Sequence, residues 1–246
     1  MNIKRIENFN IFTEINPNDH KESKLYINND ELIKIIHDSF LSEKRRQNIL
    51  LLDKIKHPNC VKANYAISNK EDKINGYSME YLDGYITLAK FITKKNIPFE
   101  KRQDIAHNLC QIINDLQDME YSFVDIHSDN FLIKNDNIKL IDLDSGRFKS
   151  FCNDDSYNFR CDFAYNYLAD LCLQVLLGTD IDLKNDIDFP KKKLIYNNMS
   201  NAQRVFLNHV FDNSIGNFDP IEYLDFFDKN IIDDTKEILK LKRTKW

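Results

Sequence analysis

Asp125-Ile126-His127-Ser128-Asp129-Asn130-Phe131-Leu132-Ile133, followed by Lys139-Leu140-Ile141-Asp142-Leu143-Asp144, is the stretch that decides how this chain is read. It sets out a carboxylate, an amide five residues later, and a second carboxylate at the end of a short apolar run. The runs Phe131 to Ile133 and Ile138 to Ile141 flank Lys134-Asn135-Asp136-Asn137, which has turn composition. They predict a hairpin with its polar residues at the two outer ends. One carboxylate can take a proton from a hydroxyl, while an amide oxygen and a second carboxylate can hold a hard cation. Any one Asp or Asn is by default a turn residue. The ordered set is what carries weight.

Composition leaves room for such chemistry and narrows its partners. With 246 residues, 42% hydrophobic and 30% charged, the chain can bury a full core as one large domain or two small lobes. A net charge of −5 argues against broad binding of nucleic acid, and the basic end, Lys240 to Lys245, reads as a solvated tail. No apolar run long enough to span a bilayer and no signal segment is present, so a cytoplasmic protein without membrane contact is expected. The five cysteines include no Cys-x-x-Cys pair and read as reduced, mostly buried thiols. Glycine is scarce, five in all, and none precedes Gly76. Asn and Asp can serve turns in its place, but they make poor phosphate cradles.

Upstream of the opening stretch, Ile11 to Ile15, Lys24 to Ile27 and Glu31 to Ile36 read as strands, the first two joined by the polar segment Asn16 to Ser23. Leu32, Lys34 and Ile36 share one face of the third. A helix is predicted within Ser42 to Lys56, with Ile49, Leu52 and Ile55 on one stripe, ending at Pro58. Strands at Val61 to Ile67 and around Tyr77 to Tyr81 complete a small α+β unit.

The run Leu32-Ile33-Lys34, then a helix, then His57-Pro58-Asn59-Cys60-Val61, then Met79-Glu80-Tyr81-Leu82 with Asp83-Gly84 resembles the small lobe and hinge of the protein kinase superfamily. Asp125, Asn130 and Asp142 continue the resemblance: the spacing of five fits the family's Asp-x-x-x-x-Asn, and the 17 residues from Asp125 to Asp142 fit as well. The resemblance implies an α+β, bilobal fold with a β-rich lobe over 1–82 and a helical lobe over 83–246. It implies ATP and Mg2+ as cofactors, Asp125 as catalytic base, Lys34 on the phosphates, and Asn130 and Asp142 on magnesium. Met79, Glu80, Tyr81, Leu82 and Leu132 become the nucleotide-contacting residues, Met79 as gatekeeper.

Departures from the family are specific. The segment Asn16 to Ser23 stands in place of the glycine-rich loop and has no glycine. The helix position that usually carries the glutamate partner of the strand lysine is Asn48, and Glu43 lies about 140° around the helix from it. Phe123-Val124 replaces the His-Arg before the catalytic Asp. Phe123 is expected to pack with Leu52 and Leu143. Val124 cannot hold a phosphorylated loop, so activity independent of loop phosphorylation is expected. His127 and the Asp142-Leu143-Asp144 run also resemble aminoglycoside and choline phosphotransferases, with Asp144 either a further metal ligand or a solvated turn residue.

Downstream, helices are expected at Leu88 to Thr93, Phe99 to Met119, Tyr165 to Leu177, Asn201 to Phe211 and from Asp219 onward. Asp144 to Arg160 would be an activation segment, and Asp162 a brace beneath the catalytic loop. Only 68 residues follow Gly178, which favours a protein acceptor over a small one. The expected function is therefore an ATP- and Mg-dependent phosphotransferase, a serine/threonine kinase with a protein substrate. A small-molecule kinase and a pseudokinase acting as a binding module are the alternatives.

Overall fold

In the computed structural model, which describes residues 1–15, 22–214 and 218–241, the first third of the chain builds one mixed six-stranded sheet. Its strands are β1 (Ile3–Arg5), β2 (Thr13–Ile15), β3 (Ser23–Asn28), β4 (Glu31–Ile36), β5 (Ala63–Ser68) and β6 (Ile74–Glu80), in the order β1-β5-β6-β4-β3-β2. β1 runs parallel to β5, and its three residues are all exposed. With no buried residue it shows no alternation to read, so the sequence does not announce it. The segment Asn16 to Ser23, expected to replace the glycine-rich loop, lies mostly outside the described residues.

Both faces of the sheet are covered. Tyr26, Ile33, Tyr65 and Ile67 pack with Phe9 and Phe12 on one side, while Ile36, Tyr77 and Met79 join the main core on the other. Helix α1 (Glu43–Ile49) starts where the Ser42 side chain accepts the Arg45 N–H. It is shorter than predicted, because a 3₁₀ turn at Leu52–Lys54 replaces its second half. Ile49, Leu52 and Ile55 are spaced by three and all buried. Three residues per turn keeps such a stripe in register better than 3.6 does.

The sheet joins the rest of the chain through the His57 to Val61 turn. Val61 N–H donates to Leu140 O at 2.9 Å, Leu140 N–H to Asn59 O at 2.7 Å, and His57 Nε2 lies 2.8 Å from Asp115 Oδ2. Beyond the sheet come β7 (Ile86–Thr87), α2 (Leu88–Ile92), α3 (Phe99–Asp118), β8 (Tyr121–Ser122), the hairpin β9 (Phe131–Lys134) and β10 (Asn137–Leu140), and β11 (Arg147–Phe148). The hairpin turns at Asn135 and Asp136, with Asn135 at φ 55°. α3 buries Ile105, Leu109, Ile112, Ile113 and Leu116, the predicted face.

Helix α4 (Asp154–Leu177) begins well before the predicted Tyr165, so the last seven residues of Asp144 to Arg160, the stretch expected as an activation segment, are helical. Its opening residues are polar enough to pass for loop. Yet Tyr157, Cys161 and Ala164 are buried at helical spacing, Asn153 caps the first turn, and two aspartates suit the positive end of the helix dipole. Gly178 ends it at φ 69°, where a side chain would be strained. The remaining helices are α5 (Phe189–Asn197), α6 (Asn201–Asp212) and α7 (Lys229–Lys240). Ser200 and Gln203 form a capping box on α6. Asp219 opens a 3₁₀ segment, Pro220–Phe226, instead of the predicted helix, and α7 follows under its own cap, Asp228. The tail beyond Leu241 lies outside the described residues. No helix among the described residues is long and apolar enough to cross a membrane.

Candidate active site

Strand register builds the first half of the site. Lys34 on β4 pairs across the ladder with Tyr77 on β6. Neighbouring residues on one face of a sheet point the same way, and both side chains reach Asp144 Oδ1, Lys34 Nζ at 3.1 Å and the Tyr77 hydroxyl at 2.6 Å. Lys34 Nζ also lies 3.1 Å from Asp142 Oδ2. The other Asp144 oxygen accepts from Arg45 of α1, through Nε at 2.7 Å and through Nη2, and Arg45 Nη1 also donates to Glu22.

Asp144 is fully buried, so it is no solvated turn residue. Its two oxygens accept from Lys34, Tyr77 and Arg45. Burial alone would raise its carboxyl pKa. The Lys34 ammonium and the Arg45 guanidinium outweigh that and hold it below the usual carboxylate range. Burial likewise would lower the Lys34 pKa, but Asp144 and Asp142 hold it above the ordinary lysine value. Asn48 does not meet Lys34. It donates to Leu143 O at 3.4 Å and Asp144 O at 3.3 Å, binding the backbone of the segment that Lys34 binds through its side chain.

The chain reaches Asp144 by turning sharply at Asp142, whose φ of 57° and ψ of 34° are left-handed. Asp tolerates that region better than most residues. Tyr121 underpins the turn: it is buried and its hydroxyl donates to Leu143 O. A methyl group at Gly146 would overlap the Tyr121 ring. Gly146→Ala is therefore expected to lower unfolding free energy by roughly 1–3 kcal/mol, the cost of overpacking, read as a lower urea midpoint.

The other half of the site is assembled around Asn130. Its Nδ2 donates to Asp125 O at 2.8 Å and to Asp125 Oδ2 at 3.1 Å, and its backbone carbonyl accepts Ile141 N–H at 2.9 Å. Asn130 is buried, while the Asp125 side chain is 48% exposed. His127 Nε2 lies 3.5 Å from Asp125 Oδ1. Phe123, Leu52 and Leu143 are all buried in the main core. Asp162 lies within α4 and, among the described residues, makes no hydrogen bond to residues 125–130.

Three cavities line up along these residues. The first, about 110 Å³, is lined mostly by apolar side chains, and Met79, Glu80, Tyr81, Leu82 and Leu132 all border it, with Asp142 at one end. The Tyr81 N–H is already spent on Asp30 O at 3.0 Å, while the Leu82 N–H donates to no described group. The second, about 280 Å³, is polar and bordered by Arg45, Asp125, Asp142 and Asp144. The third, about 460 Å³, lies between residues 124–128, α4 and residues 180–185. Asp142 borders the first and second, Asp125 the second and third.

Magnesium can be weighed against these residues. The Asn130 amide nitrogen is occupied by Asp125, which leaves its oxygen as a free acceptor, and Asp142 keeps one oxygen off Lys34. Two hard oxygen donors on adjoining backbone segments suit a cation that keeps several waters. Among the described residues no group of three or more His, Cys, Asp or Glu could hold a metal ion by itself.

Asp170 of α4 lines the third cavity, and burial pushes its carboxyl up to about 7, with Asp182 adding to the rise and Gln174, the Leu183 N–H and Lys184 opposing it. Between its unfolded value of ~3.9 and ~7 the folded protein keeps a proton that the unfolded chain releases. Stability should thus fall as pH rises across that interval and level off above it. Asp170→Asn removes that loss, so its gain in melting temperature over the parent should grow from pH 4 to pH 7.

Compared with family models and with curated proteins, the chain matches none. Arg45 and Tyr77 were not legible as site residues. Tyr77 becomes visible only through its register with Lys34, and Arg45 only once Asp144 is known to be buried.

Proposed function

We infer that this chain is an ATP- and Mg-dependent phosphotransferase with a kinase-like, two-lobed arrangement, the sheet-bearing part over 1–82 and the helical part over 83–246. The observation that carries the reading is that Asp142, which Lys34 contacts, and Asp125, which Asn130 holds, both border one polar cavity, with Asp142 also bordering the apolar one. In this reading the adenine lies against Leu32, Met79 and Leu132, with the Leu82 N–H as hinge donor. Lys34 and Arg45 offer positive charge to the phosphates, and Asp125 takes the proton of the attacking hydroxyl. Magnesium on Asn130 and Asp142 supplies neutralisation of the phosphate oxygens. A serine or threonine of a protein is the acceptor that the short helical part suggests; the cavity beyond Asp125 favours a small one.

Mg-ATP bound by the native state alone must stabilise it, by about 2.7 kcal/mol at a hundredfold excess over Kd. A rise of several degrees in melting temperature with Mg-ATP, smaller with ATP and EDTA, is expected. An unchanged melting temperature would turn the reading toward a module without nucleotide chemistry. Activity without phosphate on residues 145–153 is expected as well, checked by intact mass of the active protein.

A further inference from the structure

We propose that the basic cavity at the His57 to Val61 turn is a separate ligand site, and that it takes a small anion carrying two linked phosphate groups. At about 400 Å³ the cavity has the size of a small-molecule site. It lies where the sheet meets the helical part. Lys56 and Lys62 come from the chain ahead of β5, Glu80 from the end of β6, and Lys139 from β10. Glu80 also borders the apolar cavity, so the two cavities share a wall. The site does not depend on the phosphotransferase reading.

Charge sets the class of ligand. The chain has 39 acidic residues against 34 basic ones, yet here three lysines face one carboxylate. That carboxylate is already engaged within the wall. Glu80 Oε1 accepts from Lys139 Nζ at 3.0 Å and from the Lys62 N–H at 3.0 Å, and the Glu80 N–H donates to Lys62 O at 3.0 Å. Glu80 is thereby fixed, and it balances one lysine. Lys139 is held by the same contact and is only 15% exposed, so its ammonium is a placed charge, with two further N–H donors to offer. Among the described residues, no carboxylate reaches the Lys56 or the Lys62 ammonium. Like charges gathered on one cavity repel unless an anion sits between them.

The rest of the lining adds no opposing charge. His57 is closed on both sides: Nδ1 accepts the Asn59 N–H at 3.2 Å, and Nε2 lies 2.8 Å from Asp115 Oδ2. Cys60 is 3% exposed, and burial pushes its thiol up to about 12, so it stays neutral. Lysine binds phosphate as a point charge, and three ammoniums call for more than one negative group. A lone carboxylate answers one of them, whereas two linked phosphates can answer all three. An anion so seated ties β10 to the sheet through its lysines.

The test uses the full chain and inorganic pyrophosphate, without added metal and at constant ionic strength. At ten times Kd the site is ~90% filled, so acetylation of Lys56 and Lys62 by an amine-reactive ester should slow about tenfold. Lys229 of α7, which is exposed, should label at an unchanged rate. Peptide mass spectra read each position. The melting temperature should rise by several degrees at a hundredfold excess of pyrophosphate. Citrate, which carries carboxylates in place of phosphates, should need about ten times the concentration or more. Lys56→Ser combined with Lys62→Ser changes two exposed positions, so the double variant should fold as the parent does and lose the rise. Lys139→Met, as a second variant, should weaken pyrophosphate about tenfold or more. A rise that survives the double variant, with Lys56 and Lys62 unprotected in the parent, places pyrophosphate with Lys34 and Arg45 and overturns the proposal. Equal protection by citrate and pyrophosphate overturns the assignment to phosphate. Labelling and melting temperature both unmoved at about 10 mM pyrophosphate overturn the site itself.

Discussion

Asp144→Asn is expected to cost roughly 3–5 kcal/mol of unfolding free energy, because removing one member of a buried ionic cluster leaves its partners uncompensated. Asp144 is fully buried and is the point where Lys34 of β4, Arg45 of α1 and Tyr77 of β6 converge. Its neutral amide can still accept from Tyr77, but it offers no charge to the ammonium, which is itself 4% exposed. The pH dependence identifies the cause. The folded carboxyl titrates below its unfolded value of ~3.9, so its contribution is complete above that value and is lost as pH falls through the folded pKa. Lys34, raised above its ordinary value, loses its contribution only as pH climbs beyond the ordinary lysine range. The difference between parent and variant in urea should be constant from pH 5 to pH 9 and shrink below pH 4. A variant within 1 kcal/mol of the parent at pH 7 would show that water reaches the cluster and screens it.

That cluster also shows which parts of the site a sequence exposes. Lys34, Asp125, Asn130 and Asp142 were legible because each sits in a local context, a strand, a turn or a strand end, and because their order and spacing are constrained. The partner of Lys34 was not. Nine residues before His57 the chain offers Asn48, and the search stays within α1, whereas the counter-charge comes from Asp144, 110 positions away. In this chain α1 contributes a cation, Arg45, and the carboxylate that meets Lys34 lies on the segment after β10. Only tertiary contact reveals such a pairing. The hairpin of β9 and β10 and the apolar face of α3 were legible for the opposite reason, since their patterns repeat within a few residues. The acidic cavity did leave a trace: Asn166, Asp170 and Gln174 are four apart in Tyr165 to Leu177, a stretch otherwise apolar on nearly every side, and polar groups there need a reason.

The cleanest chemical test falls on Asp125. Asp125→Ala is expected to lower phosphotransfer by about 10²- to 10⁴-fold, the range for a lost general base, or roughly 3–5 kcal/mol of barrier. Its melting temperature should stay near the parent's, since the side chain is half exposed and its hydrogen bond is to Asn130. Asn130 keeps its second anchor on the Asp125 carbonyl at 2.8 Å, which alanine preserves, so the Asn130 side-chain oxygen, the one proposed for magnesium, keeps its orientation. The Mg-ATP melting shift should therefore survive while ADP formation disappears. Lys34→Met would lose activity too, but it also strips Asp144 of its charge partner, so a fall in turnover there mixes chemistry with stability. Asp125 separates the two because it lies at the meeting of two cavities and outside the buried cluster. Turnover within threefold of the parent in Asp125→Ala would place the base elsewhere, with His127, 3.5 Å from Asp125, the next residue to replace.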